Sequence, residues 1–184
     1  MIKKTSVIID TDPGIDDAVA LAAAFACDRL DIKLISTVSG NVGIENTTNN
    51  ALKLVEFFNK DIKVSKGASR PLIKECEHAE HIHGESGMDG YDFKSPKRSV
   101  YEKNSVEAMR EIIQESDEKI TLVTIGPLTN VATLFLAYPE VKENIEKIVV
   151  MGGSSGRGNV TPAAEFNIYA DPAAAKIVFE AGIK

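Results

Sequence analysis

Tryptophan is absent from the sequence, and only two of its 184 residues are cysteines. Two thiols are too few for the disulfide framework of a small secreted domain. Cys27 and Cys76 also lack the sequence spacing of metal ligands. We therefore predict that both are free thiols.

Long hydrophobic segments are also absent. The sequence contains no run of about 18 apolar residues, the length at which a segment is read as a membrane-spanning helix. A strand-like segment, VII, begins at Val7 and leaves no room for a signal peptide. We accordingly expect a cytoplasmic protein.

Positive charge is in deficit, because 21 Lys and Arg residues stand against 27 Asp and Glu and give a net charge of −6. Nucleic-acid binding depends on clustered Lys and Arg, which this sequence does not show, so small polar substrates are the expected partners. Hydrophobic residues make up 43% of the chain, a proportion typical of a folded soluble domain. We expect a single domain over residues 1–184.

Short Val- and Ile-rich segments alternate with helical patterns along the chain. SVIID, IKLISTVSG and KITLVTIG have strand character, whereas DDAVALAAAFA and SVEAMREIIQES have helical character. This alternation predicts an α/β fold: a doubly wound, mostly parallel sheet with helices on both faces and a Rossmann-like core. In such sheets the ligand binds beyond the carboxyl ends of the strands.

Local signals add further predictions about boundaries. We expect Pro127 in the first turn of a helix over PLTNVATLFLAY, and Gly182 as the stop of the last helix. Residues 67–104 and 152–168 are expected to be long loops, which in compact domains are usually functional or disordered.

Four aspartates crowd the loop that follows the first strand. The segment DTDPGIDD places Asp10, Asp12, Asp16 and Asp17 within eight residues, with a Pro-Gly turn between the two pairs. Like charges this close raise one another's pKa or need a compensating cation. No Lys or Arg occurs between residues 4 and 29, so we expect a hard divalent cation, Ca²⁺ rather than Mg²⁺ if a backbone carbonyl contributes.

This loop has alternative interpretations. Aspartates favour helix N-termini, which explains one or two of the four but not Asp10 and Asp12, at the end of an apolar strand. An EF-hand is excluded because its twelfth position would be Leu21 instead of Glu, and because a strand precedes the loop. Haloacid dehalogenase-like phosphatases share the Asp-x-Asp arrangement with Mg²⁺ and remain the enzymatic alternative.

The chain resembles the inosine-uridine-preferring nucleoside hydrolase family over its whole length. DTDPGIDDA matches the acidic N-terminal signature of that family. Further matching segments follow in the family's order: Gly40-Asn41, IHGESGMDG, IGPLTN, VVMGG, and EFN with the DP after it. The resemblance implies the family's fold and the hydrolysis of the N-glycosidic bond of ribonucleosides to ribose and free base.

The resemblance also implies roles for individual residues. Asp12 and Asp17 would bind Ca²⁺ through their carboxylates, together with the main-chain carbonyl of Ile125, and Asp12 would act as general base on a Ca²⁺-bound water. The expected substrate-binding residues are Asp16, Asn41, Glu165 and Asn167 at the ribose hydroxyls, Asn159 near the 5′-hydroxyl, Met151 lining the sugar pocket, and His83 near the nucleobase. A homo-oligomer, either a dimer or a tetramer, is implied as well.

Several of these residues also have purely structural interpretations. His78, His81 and His83 are expected to be loop histidines, at most one of them contacting substrate, because His81 and His83 alternate along an extended segment and the nearby ligand types are Glu rather than Cys. GPLTN is explained largely as a helix start, and Glu165 and Asn167 fit a surface loop.

The family's C-terminal part supplies one more Ca²⁺ carboxylate and, in many members, a histidine that protonates the leaving base. No segment of the 184 residues matches that part, so we expect a family domain that is truncated at its C-terminus. A non-catalytic fragment that binds ribose or Ca²⁺ is therefore the second hypothesis.

Overall fold

The computed structural model describes residues 3–184, which fold around one sheet. Its strands are β1 (Thr5–Thr11), β2 (Leu30–Thr37), β3 (Val64–Lys66), β4 (Ile120–Thr124) and β5 (Ile145–Val150). Its α-helices are α1 (Ile15–Ala26), α2 (Ile44–Phe57), α3 (Glu80–His83), α4 (Ser105–Glu115), α5 (Thr129–Ala137), α6 (Phe166–Ala170) and α7 (Pro172–Phe179), and a 3₁₀ helix covers Pro139–Asn144.

The sheet has the order β3-β2-β1-β4-β5, and every neighbouring pair of strands is parallel. The chain moves outward from β1 to β3 and then crosses back to β4 on the other side of β1. The strand order therefore reverses between β1 and β4, and an open α/β sheet leaves a crevice for ligands at that point. The doubly wound parallel fold predicted from the sequence is confirmed.

Alternating side chains of β1 build a separate core on each face of the sheet. Ile8 packs into a cluster with the helices α4, α5 and α7, and Leu122 of β4 joins it. Val7 and Ile9 point to the opposite face and pack with α1 and α2, where Leu21 is fully buried. Helices thus cover both faces of the central strands, while the edge strand β5 stays partly exposed along its length.

Two helix boundaries differ from the predictions. Helix α5 begins at Thr129 with Leu128 as its N-cap, so Pro127 precedes the helix instead of occupying its first turn. Leu128 is fully buried, and the residues between β4 and Leu128 form the turn that leads to the helix. Helix α7 ends at Phe179, and Gly182 lies beyond its C-cap with a φ of 76°.

The two long loops contain more structure than predicted. Residues 80–83 form the short helix α3, so the prediction of an extended segment at His81 and His83 is wrong. The amides of Ile82 and His83 both donate to the carbonyl of Ala79, a buried residue whose own amide bonds to Asn41. The second loop ends earlier than predicted, because α6 begins at Phe166.

Cys27 and Cys76 are free and exposed, as predicted. Within residues 3–184, no helix combines the length and apolar character needed to cross a membrane.

Candidate active site

The carboxyl end of β1 carries the acidic loop into the crevice at the switch point. Asp10 is the penultimate residue of β1, and Asp12 follows the strand directly. Asp17 lies in the first turn of α1, where its side chain accepts from the amide of Gly14, the N-cap residue, at 3.1 Å. The helix-capping interpretation therefore accounts for Asp17, while Asp10 and Asp12 need another explanation.

Asp12 is completely buried, yet only one of its carboxylate oxygens has a partner. Oδ2 accepts from the main-chain amide of Asn41 at 2.7 Å. Oδ1 has no hydrogen-bond partner among the described residues. Gly126 leaves space beside this oxygen, since a Cβ added there would lie 2.5 Å from it. Asp12 thus presents one free oxygen at the β1–β4 crevice.

The carboxylate of Asp17 lies close to Asp12 and shares a partner with it. Thr11 donates its hydroxyl to Oδ1 of Asp17 at 2.6 Å. The side-chain amide of Asn41 donates to Oδ2 of Asp17 and to the main-chain carbonyl of Asp12, both at 3.1 Å. Asn41, which follows β2, therefore connects the two carboxylates predicted to bind a metal.

Burial raises the pKa of all three inner carboxyl groups. The pKa of Asp10 is raised to about 7 and that of Asp17 to about 6, in each case chiefly by loss of solvent. The pKa of Asp12 is raised well above its usual value by burial and then by the negative charge of Asp17. Without a cation, ionising all three buried carboxyl groups is strongly unfavourable. A bound positive charge would offset that cost and stabilise the ionised cluster.

Asn130 supports this cluster from below, a role that the sequence interpretation missed. Its side-chain amide donates to Oδ1 of Asp10 at 2.8 Å and to the carbonyl of Thr37 at 2.9 Å, and its oxygen accepts from the amide of Ala68 at 2.8 Å. Ser36 also hydrogen-bonds to Asp10. A buried asparagine in the first turn of a helix is the signal that could have indicated such a role.

Asn167 connects the other side of the crevice. Its side-chain amide donates to the carbonyls of Ile125 and Met151, both at 3.1 Å. Ile125 follows β4, across the switch point from Asp12. The amide of Ile125 donates to the carbonyl of Asp10. The carbonyl predicted to bind a metal therefore has one amide donor and a second lone pair available.

Glu165 is a buried N-cap and not a surface loop residue. Both of its carboxylate oxygens accept from the amide of Asn167 at 3.0 Å, and Oε2 also accepts from the amide of Gly153 at 2.9 Å. Glu165 and Asn167 are 8% and 6% exposed. The surface-loop interpretation of these two residues is therefore wrong.

A cavity of about 650 Å³ opens above these groups. The predicted site residues that line it are Asp16, Asp17, Asn41, His83, Ile125, Met151, Asn159, Glu165 and Asn167. Asp12 lies beneath the floor, in contact with Asn41. The structure thus brings the predicted site residues to one location, although five separate segments of the chain supply them.

Apolar side chains at the rim of the cavity were not predicted. Ile15 and Val19, one turn apart on α1, and Ile82 on α3 line the cavity while remaining 46%, 68% and 64% exposed. Exposed apolar residues at positions i and i+4 of an amphipathic helix are a signal that could have indicated them. The cavity therefore has a polar floor and a partly apolar mouth.

All three histidines also line this cavity. His83 accepts a hydrogen bond at Nδ1 from the amide of Ile15 at 3.3 Å, and the same nitrogen lies 3.9 Å from Oδ1 of Asp16. These contacts are alternatives, because the amide bond needs the nitrogen lone pair and the ion pair needs a proton there. The backbone bond corresponds to a neutral ring that carries its proton on Nε2.

Hard-cation ligands are present, although side chains alone do not form a complete set. Among residues 3–184, no three His, Cys, Asp or Glu side chains converge in the geometry of a metal site. The available oxygens are the carboxylates of Asp12 and Asp17 and nearby main-chain carbonyls. The unpartnered Oδ1 of Asp12 and the raised pKa values fit a hard cation, with water or substrate completing the shell.

Comparison with known proteins gives one consistent result. The model of the family described as inosine-uridine preferring nucleoside hydrolase matches residues 7–184. The non-specific ribonucleoside hydrolase RihC of Salmonella typhimurium is 51% identical over 184 residues, which are the whole of this chain and 60% of that protein. The chain thus spans about three fifths of the length of the curated relatives it matches.

Solved structures agree with this result. A purine-preferring ribonucleoside hydrolase from Gardnerella vaginalis superposes with a TM-score of 0.93 at 31% identity, over 97% of this chain and 58% of that one. A plant nucleoside hydrolase, PpNRh1, superposes with a TM-score of 0.93 at 38% identity, over 98% of this chain and 58% of that one.

Proposed function

The chain belongs to the inosine-uridine preferring nucleoside hydrolase family, and we propose that it hydrolyses the N-glycosidic bond of ribonucleosides to ribose and free base. The observation that carries this proposal is the cavity at the β1–β4 switch point, where buried carboxylates lie beneath a partly apolar mouth. A nucleoside has the matching polarity, because its sugar is rich in hydroxyls and its base is flat and largely apolar on its faces.

The polar floor suits the charge that develops during the reaction. Breaking a C–N glycosidic bond builds positive charge on the sugar ring, so negative groups fixed around the ring stabilise the transition state more than the substrate. Asp16, Asp17 and Glu165 line the cavity and supply those groups. Backbone amides already hold Glu165 in place, so it needs no reorganisation when the charge appears.

We propose Ca²⁺ as the cofactor, held by the carboxylates of Asp12 and Asp17 and the carbonyl of Ile125. When bound, the ion would supply positive charge that favours deprotonation of a water and orients the sugar hydroxyls. Three protein ligands leave room in the shell of roughly six to eight oxygens that Ca²⁺ takes. The inner carboxylates gain most from the ion, since burial disfavours their charged forms.

Asp12 is the proposed general base. Its Oδ2 is held by Asn41, while its Oδ1 is unpartnered and can accept a proton from an attacking water. Burial raises the pKa of this carboxyl in the ion-free chain, and a bound cation would favour the ionised form that can accept a proton. Because the Asn41 amide occupies Oδ2, the proton of the attacking water would be transferred to Oδ1.

The remaining residues would bind and orient the nucleoside. We propose that the ribose hydroxyls contact Asp16, Asn41, Glu165 and Asn167, that the 5′-hydroxyl lies near Asn159, that Met151 lines the sugar pocket and that His83 faces the base. Ile15, Val19 and Ile82 would then contact the faces of the base. The proposal includes a cytoplasmic role in nucleoside salvage and assembly into a homo-oligomer.

The haloacid dehalogenase-like alternative predicts a lysine that a later loop brings to the site. No lysine lines the cavity within the described part of the chain. The cavity therefore does not fit such a phosphatase. The second hypothesis is a fragment that binds Ca²⁺ or ribose without catalysis.

Base release from inosine and uridine by the purified 184-residue chain tests the proposal. We expect release with millimolar Ca²⁺, and none with EGTA or in the Asp12→Asn variant, measured by chromatography of the free base. Thermal stabilisation by Ca²⁺ without release of either base would support the non-catalytic fragment. Equal release by Asp12→Asn and the unaltered chain would overturn the assignment of the base.

A further inference from the structure

Three polar side chains meet beside the cavity in a cluster to which the proposed hydrolysis assigns no role. The sulfur of Cys76 lies 3.2 Å from Nε2 of His78. The hydroxyl of Ser39 lies 3.2 Å from the same nitrogen and 3.6 Å from the sulfur. Ser39 follows β2 and is nearly buried, and its amide is bonded to the carbonyl of Ala68, so it is a fixed point for the other two groups.

This arrangement has the parts of an activated thiol. The imidazole of His78 can accept the thiol proton at Nε2, and the Ser39 hydroxyl can donate to the sulfur that remains. On the far side of the ring, Oε1 of Glu80 lies 3.9 Å from Nδ1 of His78, close enough to pair with the ring when it has accepted a proton. A nucleophile, a base and a nearby carboxylate thus lie together, and Cys76 itself is exposed to reagents.

We propose that Cys76 is a thiol-exchange site that forms mixed disulfides with small neutral or cationic disulfides at the mouth of the cavity. The proton of Cys76 passes to His78, and the sulfur attacks one sulfur of the incoming disulfide. The bond between the two reagent sulfurs breaks as the new Cys76 bond forms. The leaving thiolate takes the proton from His78 and departs as a thiol, so the disulfide is both co-reactant and oxidant.

Charge around the cluster determines which disulfides it accepts. Glu75, Glu77 and Glu80 flank Cys76 and His78 along the chain, and Lys74 is the nearest cation in the sequence. Lys74 is already paired with Glu77 at 2.8 Å. The local balance is therefore negative, which disfavours anionic reagents and favours cationic ones at low ionic strength.

The second cysteine provides a matched control within the same chain. Cys27 is also free and exposed, and it lies at the C-cap of α1, whereas all three histidines lie between residues 78 and 83. Cys27→Ser leaves only Cys76, and Cys76→Ser leaves only Cys27. The two single-cysteine proteins therefore compare a thiol that contacts an imidazole with a thiol that does not.

The experiment measures the rate of mixed-disulfide formation with cystamine at pH 7 by intact-protein mass spectrometry. An ordinary thiol is only a few per cent thiolate at that pH, so we expect Cys27→Ser to react about tenfold faster than Cys76→Ser. Adding His78→Gln to Cys27→Ser should bring the rate to within about twofold of the Cys27 thiol. Cystamine should react faster than dithiodiglycolate, an anionic disulfide, at both cysteines because its leaving thiol has the lower pKa, but the ratio of the two rates should be larger for Cys76 than for Cys27.

Equal rates for the two single-cysteine proteins would overturn the proposal, as would a Cys76 rate that His78→Gln leaves unchanged. Circular dichroism of each variant separates loss of reactivity from loss of fold. An unfolded variant exposes its thiol whatever the residue at position 78. If His78→Gln does not fold, His78→Asn therefore replaces it. The readout is the mass of the adduct and not base release, so the result is independent of the hydrolase function.

Discussion

The main-chain amide of Asn41 donates a 2.7 Å hydrogen bond to Oδ2 of Asp12 and thereby couples the loop after β2 to the carboxylate after β1. The bond uses one oxygen of a completely buried carboxylate and leaves the other without a partner. Because a backbone amide makes this contact, changing the side chain of residue 41 does not remove it. The orientation of the Asp12 carboxylate is therefore set by the backbone that follows β2 and not by the side chain of residue 41.

Replacing Asp12 by Asn separates the contribution of this carboxylate to the reaction rate from its effect on the free energy of unfolding. Because burial disfavours its charge, we expect Asp12→Asn to be at least as stable as the unaltered chain in EGTA. Loss of a general base typically costs about 10²–10⁴-fold in rate, so base release should fall by at least two orders of magnitude. Urea unfolding and base release measure the two effects.

The matched control for Asp12→Asn is Asp61→Asn. The Asp61 side chain is fully exposed, and its ion pair with Arg98 lies at the surface. Neither stability nor base release should change appreciably in that variant. A large loss of stability in Asp12→Asn without Ca²⁺ would contradict the electrostatic account.

Removal of divalent ions should give the stability a distinctive dependence on pH. Asp10, Asp12 and Asp17 have folded-state pKa values above the usual value of 3.8, so the folded chain binds more protons than the unfolded chain. In EGTA the free energy of unfolding should therefore fall as the pH rises from about 4 to about 7. Hydrogen bonds from Lys74 and Lys103 lower the pKa of Glu77 and Glu111, so these two carboxyls act in the opposite direction and only at the acid end of this window.

Calcium should reverse this loss, because it compensates the charges that appear as the pH rises. We expect the increase in Tm on adding Ca²⁺ to be larger at pH 8 than at pH 5, and Na⁺ at equal ionic strength to have no such effect. Scanning calorimetry at both pH values measures it. A Ca²⁺ shift that is the same at both values would argue against binding by the buried aspartates.

The glycine beside Asp12 provides a steric test of the same site. A Cβ at Gly126 would lie 2.5 Å from Oδ1 of Asp12, so Gly126→Ala must displace a carboxylate that is proposed to bind Ca²⁺ and to act as the base. Overpacking of this kind costs roughly 1–3 kcal/mol, and the Ca²⁺-dependent rise in Tm should be lost. Gly156→Ala is the control, because nothing lies within 4 Å of its added Cβ.

Asn130 should matter to stability far more than its position in a short helix suggests. Asn130→Ala removes the bonds to Asp10, Thr37 and Ala68 and leaves buried polar groups unsatisfied, at a cost of about 2–4 kcal/mol. Asn144→Ala, at an exposed position, should stay within about 0.5 kcal/mol of the unaltered chain. Urea denaturation compares the two, and equal effects would contradict the bracing role of Asn130.

Local sequence determined the elements of this protein and the composition of its acidic loop. The alternation of β-branched strands with amphipathic helices is a short-range pattern, so it predicted the parallel sheet correctly. The turn chemistry of DTDPGIDD likewise indicated where carboxylates would crowd, because only neighbouring residues take part. Boundaries at Pro127 and Gly182 were misplaced, since burial of Leu128 and the capping of α7 outweighed the local preferences.

Only the tertiary structure decided which distant groups meet. Asp10 and Asn130 are 120 positions apart in the sequence and 2.8 Å apart in space, a contact that no local pattern encodes. The helical turn at His83, the burial of Glu165 and the contact between Cys76 and His78 likewise depend on how loops pack over strand ends. Residue types therefore indicated the chemistry, whereas the crossing of the chain between β1 and β4 set its geometry.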